Sequence, residues 1–105
     1  MPTEPYQIVF DSEVEEHLHG IDRKFHGLIQ RTIPGQLQHQ AEVETKNRKR
    51  LREPAAFGAT WEIRFGPDNR FRVLYRIEPP RQVVVLAIGV KQNNRLWVGE
   101  QEIKL

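Results

Sequence analysis

Residues 61–89, WEIRFGPDNRFRVLYRIEPPRQVVVLAIG, carry the clearest strand pattern in the chain. Apolar and charged residues alternate through Trp61–Phe65 and again through Phe71–Ile77, as they do in strands with one buried face. Pro67–Asn69 between them suits a short hairpin loop, because proline presets φ and asparagine tolerates the left-handed region. The pattern therefore predicts an antiparallel hairpin.

The predicted hairpin register places Arg64 directly opposite Arg72, on the face away from the apolar side chains. Like charges that are opposed across two strands repel each other. A phosphate bound between the two guanidinium groups would remove the repulsion, because arginine forks suit phosphate oxygens. A carboxylate would do the same, and Glu62 lies diagonally within reach. Both interpretations remain open on this evidence.

The composition indicates one domain, residues 1–105, with a single modest core. No apolar run approaches the length of a membrane span and the N-terminus lacks a signal-peptide pattern, so we expect no membrane association. Cysteine is absent, which excludes disulfides, cysteine metal sites and a thiolate nucleophile. The composition fits a reducing, cytoplasmic location.

The net charge of +2 hides an uneven distribution. Residues 1–45 carry eight acidic and three basic side chains (net −5), whereas residues 46–105 carry thirteen basic and six acidic ones (net +7). A basic half on a small domain favours a polyanionic partner, nucleic acid first. A dipolar monomer that neutralises itself is the alternative.

The N-terminal half predicts a strand followed by helices. Tyr6–Phe10 reads as a short strand, and Ser12 with Glu15 forms a capping box that would start a helix at about Glu13. The helical stripe that would pack on the sheet is Val14, Leu18, Ile21, Phe25 and Leu28.

Glycine and proline are expected to interrupt the helical region. Gly20 would split it into two helices, with Asp22 capping the second. Pro34-Gly35 would kink or end the second helix, because an interior proline removes a hydrogen bond and clashes with the preceding turn. Helix would resume briefly through Leu37–Val43. The elements together predict an α+β domain in which a helical hairpin packs on one face of a mainly antiparallel four-stranded sheet.

The stretch Lys46–Arg52 holds five basic residues in seven positions. One interpretation is a solvated helix end, where cations favour the helix dipole. The other is a surface that follows a phosphate backbone, because the run leads directly into the arginine-bearing hairpin. Its basic members are Lys46, Arg48, Lys49, Arg50 and Arg52.

The strand Val83–Gly89 is apolar on both faces and should be central in the sheet. It is expected to extend an apolar strip on the arginine side of the sheet. An exposed strip of that kind would favour a protein partner, unless the C-terminal segment Leu96–Leu105 folds over it. The strip consists of Leu74, Val84, Leu86 and Ile88.

The motifs exclude several kinds of chemistry. The histidines all lie in the helical half, without the spacing of a zinc pair. There is no glycine-rich phosphate loop and no hydrolase or metalloprotease motif. We therefore expect no metal and no small-molecule cofactor. The remaining candidates form a polar set around the strands: Glu62, Arg64, Arg72, Arg76, Lys91, Asn94, Arg95 and Trp97.

This set suits RNA binding. Cations can hold RNA phosphates, and Trp97 can stack on a base. Metal-free cleavage requires a base for the 2′-hydroxyl, an acid for the leaving oxygen and cations for the phosphorane. The arginines suit the last role, which leaves Glu62 and Lys91 for proton transfer.

The order of elements, ending in WEIRFGPDNRFRVLYRIEPPRQVVVLAIGVKQNNRL, resembles the RelE/ParE superfamily of toxins from type II toxin–antitoxin systems. The resemblance spans essentially the whole chain, and VETKNRKRLR also looks like a subgroup of these toxins. It implies a RelE-like fold and a cognate antitoxin that wraps the toxin. RelE-like toxins are endoribonucleases that cut mRNA on the ribosome, whereas ParE-like toxins share the fold and poison DNA gyrase.

The resemblance also implies roles for particular residues. Arg64 and Arg72 match basic residues of the RelE-type active site, and Lys91 stands where that type has arginine. Trp97 stands where the RelE type has a catalytic tyrosine, and Glu62 where it has a lysine. Trp97 cannot exchange a proton as tyrosine does, whereas Glu62 can serve as a base, as glutamate does in related toxins.

The resemblance, together with the cluster of cations, therefore implies a toxin that cleaves mRNA on the ribosome without a metal. Its catalytic set would be Glu62, Arg64, Arg72, Lys91 and Trp97, and its RNA-binding set Lys46, Arg48, Lys49, Arg50, Arg52, Arg76, Asn94 and Arg95. The alternatives are a gyrase inhibitor of the ParE type and a family member without catalysis that binds only RNA or its antitoxin.

Overall fold

The computed structural model describes residues 4–52 and 56–103. Two helices are formed, α1 (Val14–His19) and α2 (His26–Leu37). The strands are β1 (Gln7–Phe10), β2 (Arg48–Arg50), β3 (Trp61–Phe65), β4 (Phe71–Glu78), β5 (Gln82–Gln92), β6 (Arg95–Val98) and β7 (Gln101–Ile103). Three short 3-10 turns lie at Arg23–Phe25, Ala56–Gly58 and Pro67–Asn69.

The strands form one mixed sheet in the order β2-β3-β4-β5-β6-β7. Its pairs are antiparallel except for β1, which runs parallel to the first half of β5. The α+β class and the mainly antiparallel sheet are confirmed, but the predicted four strands are wrong, because the described residues form seven. The additional strands come from the basic run, which forms β2, and from the C-terminal residues, which form β6 and β7.

The predicted hairpin is present with the predicted register. Arg64 pairs with Arg72 across β3 and β4, and Ile63 pairs with Val73 on the helix side. Asn69 has a φ of 50°, in the left-handed region that was predicted for the asparagine of this loop. The alternation of side chains thus puts the two arginines on one face and the apolar residues on the other.

The predicted helical hairpin is also only partly correct. Helix α1 has six residues, so α2 is the one main helix among the described residues. Gly20 ends α1, as expected. Asp22 was expected to cap the second helix, but it caps the 3-10 turn Arg23–Phe25 that precedes α2, where it accepts a hydrogen bond from the Lys24 N–H at 3.0 Å. The capping box at the start of α1 is not formed. Instead, Asp11 accepts from the backbone N–H of Glu13 at 3.0 Å.

Pro34 does not end α2, which was one of the two effects predicted for it. The helix continues to Leu37, and the Gln38 N–H donates to the Pro34 carbonyl at 3.0 Å. Leu37 is fully buried, and that burial offsets part of the proline's effect, since a buried leucine contributes about 1.5–3 kcal/mol. The helix predicted to resume through 37–43 is replaced by turns.

Each face of the sheet has its own apolar cluster. Helices α1 and α2 cover the larger one, whereas the second lies on the arginine face. Leu74, Val84 and Leu86 belong to the second cluster and are buried, so the strip is not exposed. The residues that pack with them include Leu51, Leu96, Val98 and Ile103, so the described part of the C-terminal segment, in β6 and β7, helps to bury the strip.

Ile88 was assigned to the wrong face of the sheet. It packs in the helix-side cluster, opposite Val73. The register between β4 and β5 shifts at Leu74/Tyr75, and the residue added to β5 at this irregularity reverses the alternation. A strict period of two along β5 therefore fails between Leu86 and Ile88.

Candidate nucleic-acid interface

Most of the predicted catalytic residues line one open cleft of about 550 Å³ on the arginine face, here called the arginine cleft. They come together because Arg72 lies opposite Gly89, and Lys91 follows two residues later on the same face of β5. The full lining is Glu62, Arg64, Arg72, Lys91, Asn94, Arg95, Glu102, Leu51, Leu96 and Ile103.

A carboxylate occupies the position between the two opposed arginines. The Nε of Arg64 donates to Oε1 of Glu62 at 2.7 Å, and Nη1 of Arg72 lies 3.5 Å from the same oxygen. Glu62 is buried. The sequence left open whether a phosphate or a carboxylate lies between the two arginines. In the structure it is the carboxylate of Glu62. Glu62 neutralises part of the positive charge in the cleft and fixes both guanidinium groups.

Arg72 is the most confined cation of the cleft. Its side chain is buried, and its Nε donates to the Asn69 carbonyl at 3.1 Å. Burial lowers the pKa of Arg72, the neighbouring charge of Arg64 lowers it further, and Glu62 opposes the shift. The guanidinium keeps its proton at neutral pH because an arginine pKa starts so high. It is a fixed positive charge in a partly dehydrated position.

The remaining cations of the cleft are open to solvent. The Arg64 side chain is 43% exposed, and Lys91, Asn94 and Arg95 are also exposed. Arg95 has a weak partner in Glu102, at 3.9 Å. A polyanion can therefore contact these side chains without any rearrangement of the backbone.

A second cleft, here called the turn cleft, adjoins the first at the end of the β4–β5 pair. It has about 550 Å³ and shares Arg72, Lys91 and Asn94 with the arginine cleft. Arg70 also lines it, and the sequence analysis did not select this residue. The sequence feature that could have identified it is a third arginine close to Arg64 and Arg72, at the end of the hairpin loop. The other lining residues are Asp68, Gln92 and Asn93.

Trp97 lies on the opposite face of the sheet, which corrects its placement in the catalytic set. It pairs with Val90 across β5 and β6, while Lys91 pairs with Leu96. Neighbouring residues on a strand face opposite sides, so Trp97 points to the helix side. It lines a pocket with Phe25 and Phe71 and does not line the arginine cleft.

Two of the predicted RNA-binding arginines have other partners. Arg48 is buried and donates to the carbonyls of Val43 and Gln36, each at 3.0 Å, so it is not available to a phosphate. Arg76 forms an ion pair with Glu78 at 2.7 Å and does not line either cleft. Both corrections arise because these side chains meet acceptors elsewhere in the fold.

The rest of the basic run lies on the surface. Lys49 pairs with Glu62 across β2 and β3 and therefore shares the face of the arginine cleft, whereas Arg50 pairs with Trp61 and points the other way. Lys46 and Arg52 are exposed. The basic run thus contributes Lys49 to the surroundings of the cleft.

The chemistry available in the arginine cleft is limited to cations and carboxylates. Its lining residues include no histidine, and apart from the arginines its titratable side chains are Glu62, Glu102 and Lys91. Residues 4–52 and 56–103 contain no group of three metal-binding side chains placed to hold an ion. The same residues form no helix that is long and apolar enough to span a membrane.

Comparison with known proteins identifies the fold. The sequence matches no protein-family model and no curated protein. The structure is similar to a chain in the crystal structure of the toxin–antitoxin complex RelBE2 from Mycobacterium tuberculosis. The TM-score is 0.65 at 24% sequence identity, and the match covers 83% of this chain and 99% of that one. This likeness shows that the chain has the RelE-like fold.

Proposed function

Because the chain has the RelE-like fold, we propose that it is the toxin of a type II toxin–antitoxin pair and that it cleaves mRNA on the ribosome. The observation that carries the proposal is the convergence of Arg64, Arg72 and Lys91 on one open cleft. Three cations in one cleft suit the charge that develops on a phosphodiester during cleavage. The neighbouring Asn94 and Arg95 extend the same surface.

The cleavage would proceed by transfer of the phosphoryl group to the 2′-oxygen. Glu62 accepts the 2′-hydroxyl proton as the O2′–P bond forms, and Lys91 donates a proton to the leaving 5′-oxygen as the P–O5′ bond breaks. Arg64 and Arg72 stabilise the negative charge of the phosphorane. The products are a 2′,3′-cyclic phosphate and a 5′-hydroxyl end, and no metal takes part.

A specific observation favours a second candidate, RNA binding without cleavage. Oε1 of Glu62 is already engaged by Arg64 at 2.7 Å, and Nη1 of Arg72 lies 3.5 Å away. Oε1 is therefore already occupied and is not free to take the 2′-hydroxyl proton. In this second candidate, Glu62 orients the arginines, which hold the RNA backbone and block the ribosome by occupancy alone.

The proposed setting is the cytoplasm, with the ribosome and mRNA as targets and an antitoxin as partner. The structural neighbour was solved as a toxin–antitoxin complex, which supports an antitoxin for this chain. The charges of the arginine cleft support a polyanionic target.

Induced expression without an antitoxin tests the proposal. Growth and primer-extension mapping of mRNA 5′ ends are followed together for the unchanged chain and for Arg72→Gln and Lys91→Ala. Arg76→Ala is the matched control, because Arg76 is a basic residue of the same strand as Arg72 but lies outside the clefts. We expect growth arrest with new 5′ ends inside translated codons, lost in the two cleft variants and kept in the control.

The other outcomes discriminate between the alternatives. Arrest with intact mRNA that still requires Arg72 supports occupancy without cleavage. Arrest with intact mRNA and DNA-damage signalling supports a gyrase inhibitor of the ParE type. Normal growth with abundant folded protein overturns the toxin proposal.

A further inference from the structure

Trp97 lines a pocket that the proposed catalysis does not use. This pocket, here called the tryptophan pocket, has about 460 Å³ and lies on the helix side of the sheet. Its volume falls within the range of about 300–1,000 Å³ that is common for small-molecule sites. The lining residues that matter here are Trp97, Phe25, Phe71, Lys24, Arg70 and Gln92.

Aromatic rings and cations meet in this pocket. Phe25 packs edge-on against Phe71 at a centroid distance of 5.0 Å, which fixes the Phe25 ring. Lys24 Nζ lies 5.2 Å and Arg70 Cζ 5.7 Å from the centroid of the same ring. Phe25 and Trp97 are both only partly buried, so ring surface remains available to a ligand.

The wall of the pocket beside α1 is backbone. Gly20 ends α1, and Gly99 follows β6 with a φ of +64°. A Cβ atom on Gly20 would lie 3.2 Å from the Cα of Gly99, which is tighter than an ordinary contact. The two glycines therefore let the helix end approach the sheet closely. Gly20 and Gly99 both line the pocket, so this close contact forms part of its boundary.

The tryptophan pocket is continuous with the proposed RNA surface. It shares Arg70 and Gln92 with the turn cleft, which in turn shares Arg72 and Lys91 with the arginine cleft. A continuous surface thus leads from the proposed scissile phosphate, around the end of β4 and β5, to Trp97. The cations along this surface are Lys24, Arg70, Arg72 and Lys91, and the carboxylates of Asp22 and Asp68 lie among them.

We propose that the tryptophan pocket binds one nucleobase of the RNA strand whose phosphate lies on Arg72 and Lys91. The inference rests on the proposed function and adds a base-binding subsite on the opposite face of the sheet. A nucleobase has flat apolar faces for Trp97 and Phe25, whereas Arg70 suits its phosphate. The polar rim offers both a carboxylate, on Asp22, and an amide, on Gln92, to the base edge.

The test is RNA binding by the purified chain. The probe is a short 2′-O-methyl oligonucleotide, which lacks the nucleophilic hydroxyl and stays intact. Binding is measured by fluorescence anisotropy of a labelled end and, separately, by tryptophan emission. We expect quenching that Trp97→Phe abolishes, because the other tryptophan, Trp61, is buried in the core. Trp97→Ala should weaken binding by about 5- to 150-fold, the range for losing one base–aromatic stack.

A set of oligonucleotides with one abasic position each identifies the base. At one position, removal of the base should weaken binding to the unchanged chain. The same removal should not change the affinity of Trp97→Ala, which has already lost the contact with that base. The phosphates are the same throughout, so charge does not contribute to the difference. Thermal unfolding of Trp97→Ala shows that the variant is folded, and Trp97→Phe provides a second, milder change.

The outcomes separate this inference from the proposed function. Binding that requires Arg72 but is unchanged in Trp97→Ala overturns the base subsite and leaves the proposed function standing. The subsite is also overturned if Trp97→Ala binds every abasic oligonucleotide more weakly than the unchanged chain does, and by the same factor. No single base is then recognised by Trp97. If the unchanged chain binds no RNA, the base subsite is overturned, whereas the proposed function is decided by the expression experiment.

Discussion

Glu62 accepts a hydrogen bond from Arg64 at 2.7 Å, although the glutamate side chain is only 2% exposed and the arginine side chain is 43% exposed. One end of this ion pair is therefore fixed in the fold and the other reaches solvent. Glu62 also keeps Arg72 beside Arg64, against the repulsion of two opposed cations. The stability of the site and its affinity for anions are thus linked through one carboxylate.

Glu62→Gln should destabilise the fold and make its stability depend on anions. Removing one partner of a buried ion pair costs up to about 3–5 kcal/mol, and a glutamine that keeps part of the hydrogen bonding should cost about 2 kcal/mol in the free energy of unfolding. Sulfate should restore part of this loss by binding between Arg64 and Arg72. Urea unfolding with and without sulfate at constant ionic strength measures both effects.

The matched control for that experiment is Glu78→Gln. It removes the exposed ion pair with Arg76, which is 2.7 Å long with both side chains about 40% exposed. An exposed pair contributes at most about 1 kcal/mol, and sulfate should have no specific effect on this variant. Equal losses in the two variants would contradict the role given to Glu62.

Arg48→Ala should destabilise the protein without affecting RNA binding. The guanidinium donates to the Gln36 and Val43 carbonyls and to the Gln36 side chain, so the substitution removes three part-buried hydrogen bonds of a charged group. We expect a decrease of about 2–4 kcal/mol in the free energy of unfolding. Arg50→Ala, in the same strand but exposed, should change it by less than about 0.5 kcal/mol. Denaturant unfolding of the two variants decides whether Arg48 is structural.

Stability should fall as the pH drops below about 6.5, through His17. Its Nδ1 accepts a hydrogen bond from the Ile88 N–H at 3.4 Å. Ile88 lies between the part of β5 that pairs with β1 and the part that pairs with β6. Burial lowers the pKa of His17 from 6.5, although the neighbouring carboxylates of Glu13, Asp11 and Glu16 oppose the shift. The unfolded chain then binds the proton more readily, so the stability present above pH 6.5 decreases towards the lower folded pKa.

Urea unfolding between pH 8 and pH 5 measures this dependence. His17→Gln should flatten the curve in that window, because a glutamine oxygen accepts the Ile88 N–H without titrating. His39→Gln, at an exposed position, should leave the curve unchanged. A curve that is equally steep in His17→Gln would assign the dependence to other groups.

Two glycine substitutions should have opposite effects on stability. Gly66 in the β3–β4 loop has a φ of +83°, and a Cβ there would lie 2.4 Å from Cδ2 of Phe71. Gly66→Ala should therefore lower the free energy of unfolding by more than about 1–2 kcal/mol. Gly35→Ala, within α2 and with nothing within 4 Å of the added atom, should raise it by about 0.5–1 kcal/mol. Thermal or urea unfolding of both variants provides the comparison.

The face of Trp97 was predictable from a signal that the sequence analysis did not use. Asn93 and Asn94 both adopt positive φ and form the two-residue turn between β5 and β6. An asparagine pair between strand-like runs is typical of such hairpins. The turn fixes the pairing of Val90 with Trp97 and so determines which face the tryptophan occupies.

The sequence by itself determined the β3–β4 hairpin and the opposition of Arg64 and Arg72. These features depend on a side-chain period of two and on a loop of local residues, so neighbouring residues specify them. Tertiary structure alone decided that Arg48 is buried, that Leu74 and Leu86 are covered, and that the arginine cleft leads around the sheet to Phe25. Each of these depends on contacts between segments far apart in the chain, which a local pattern does not specify.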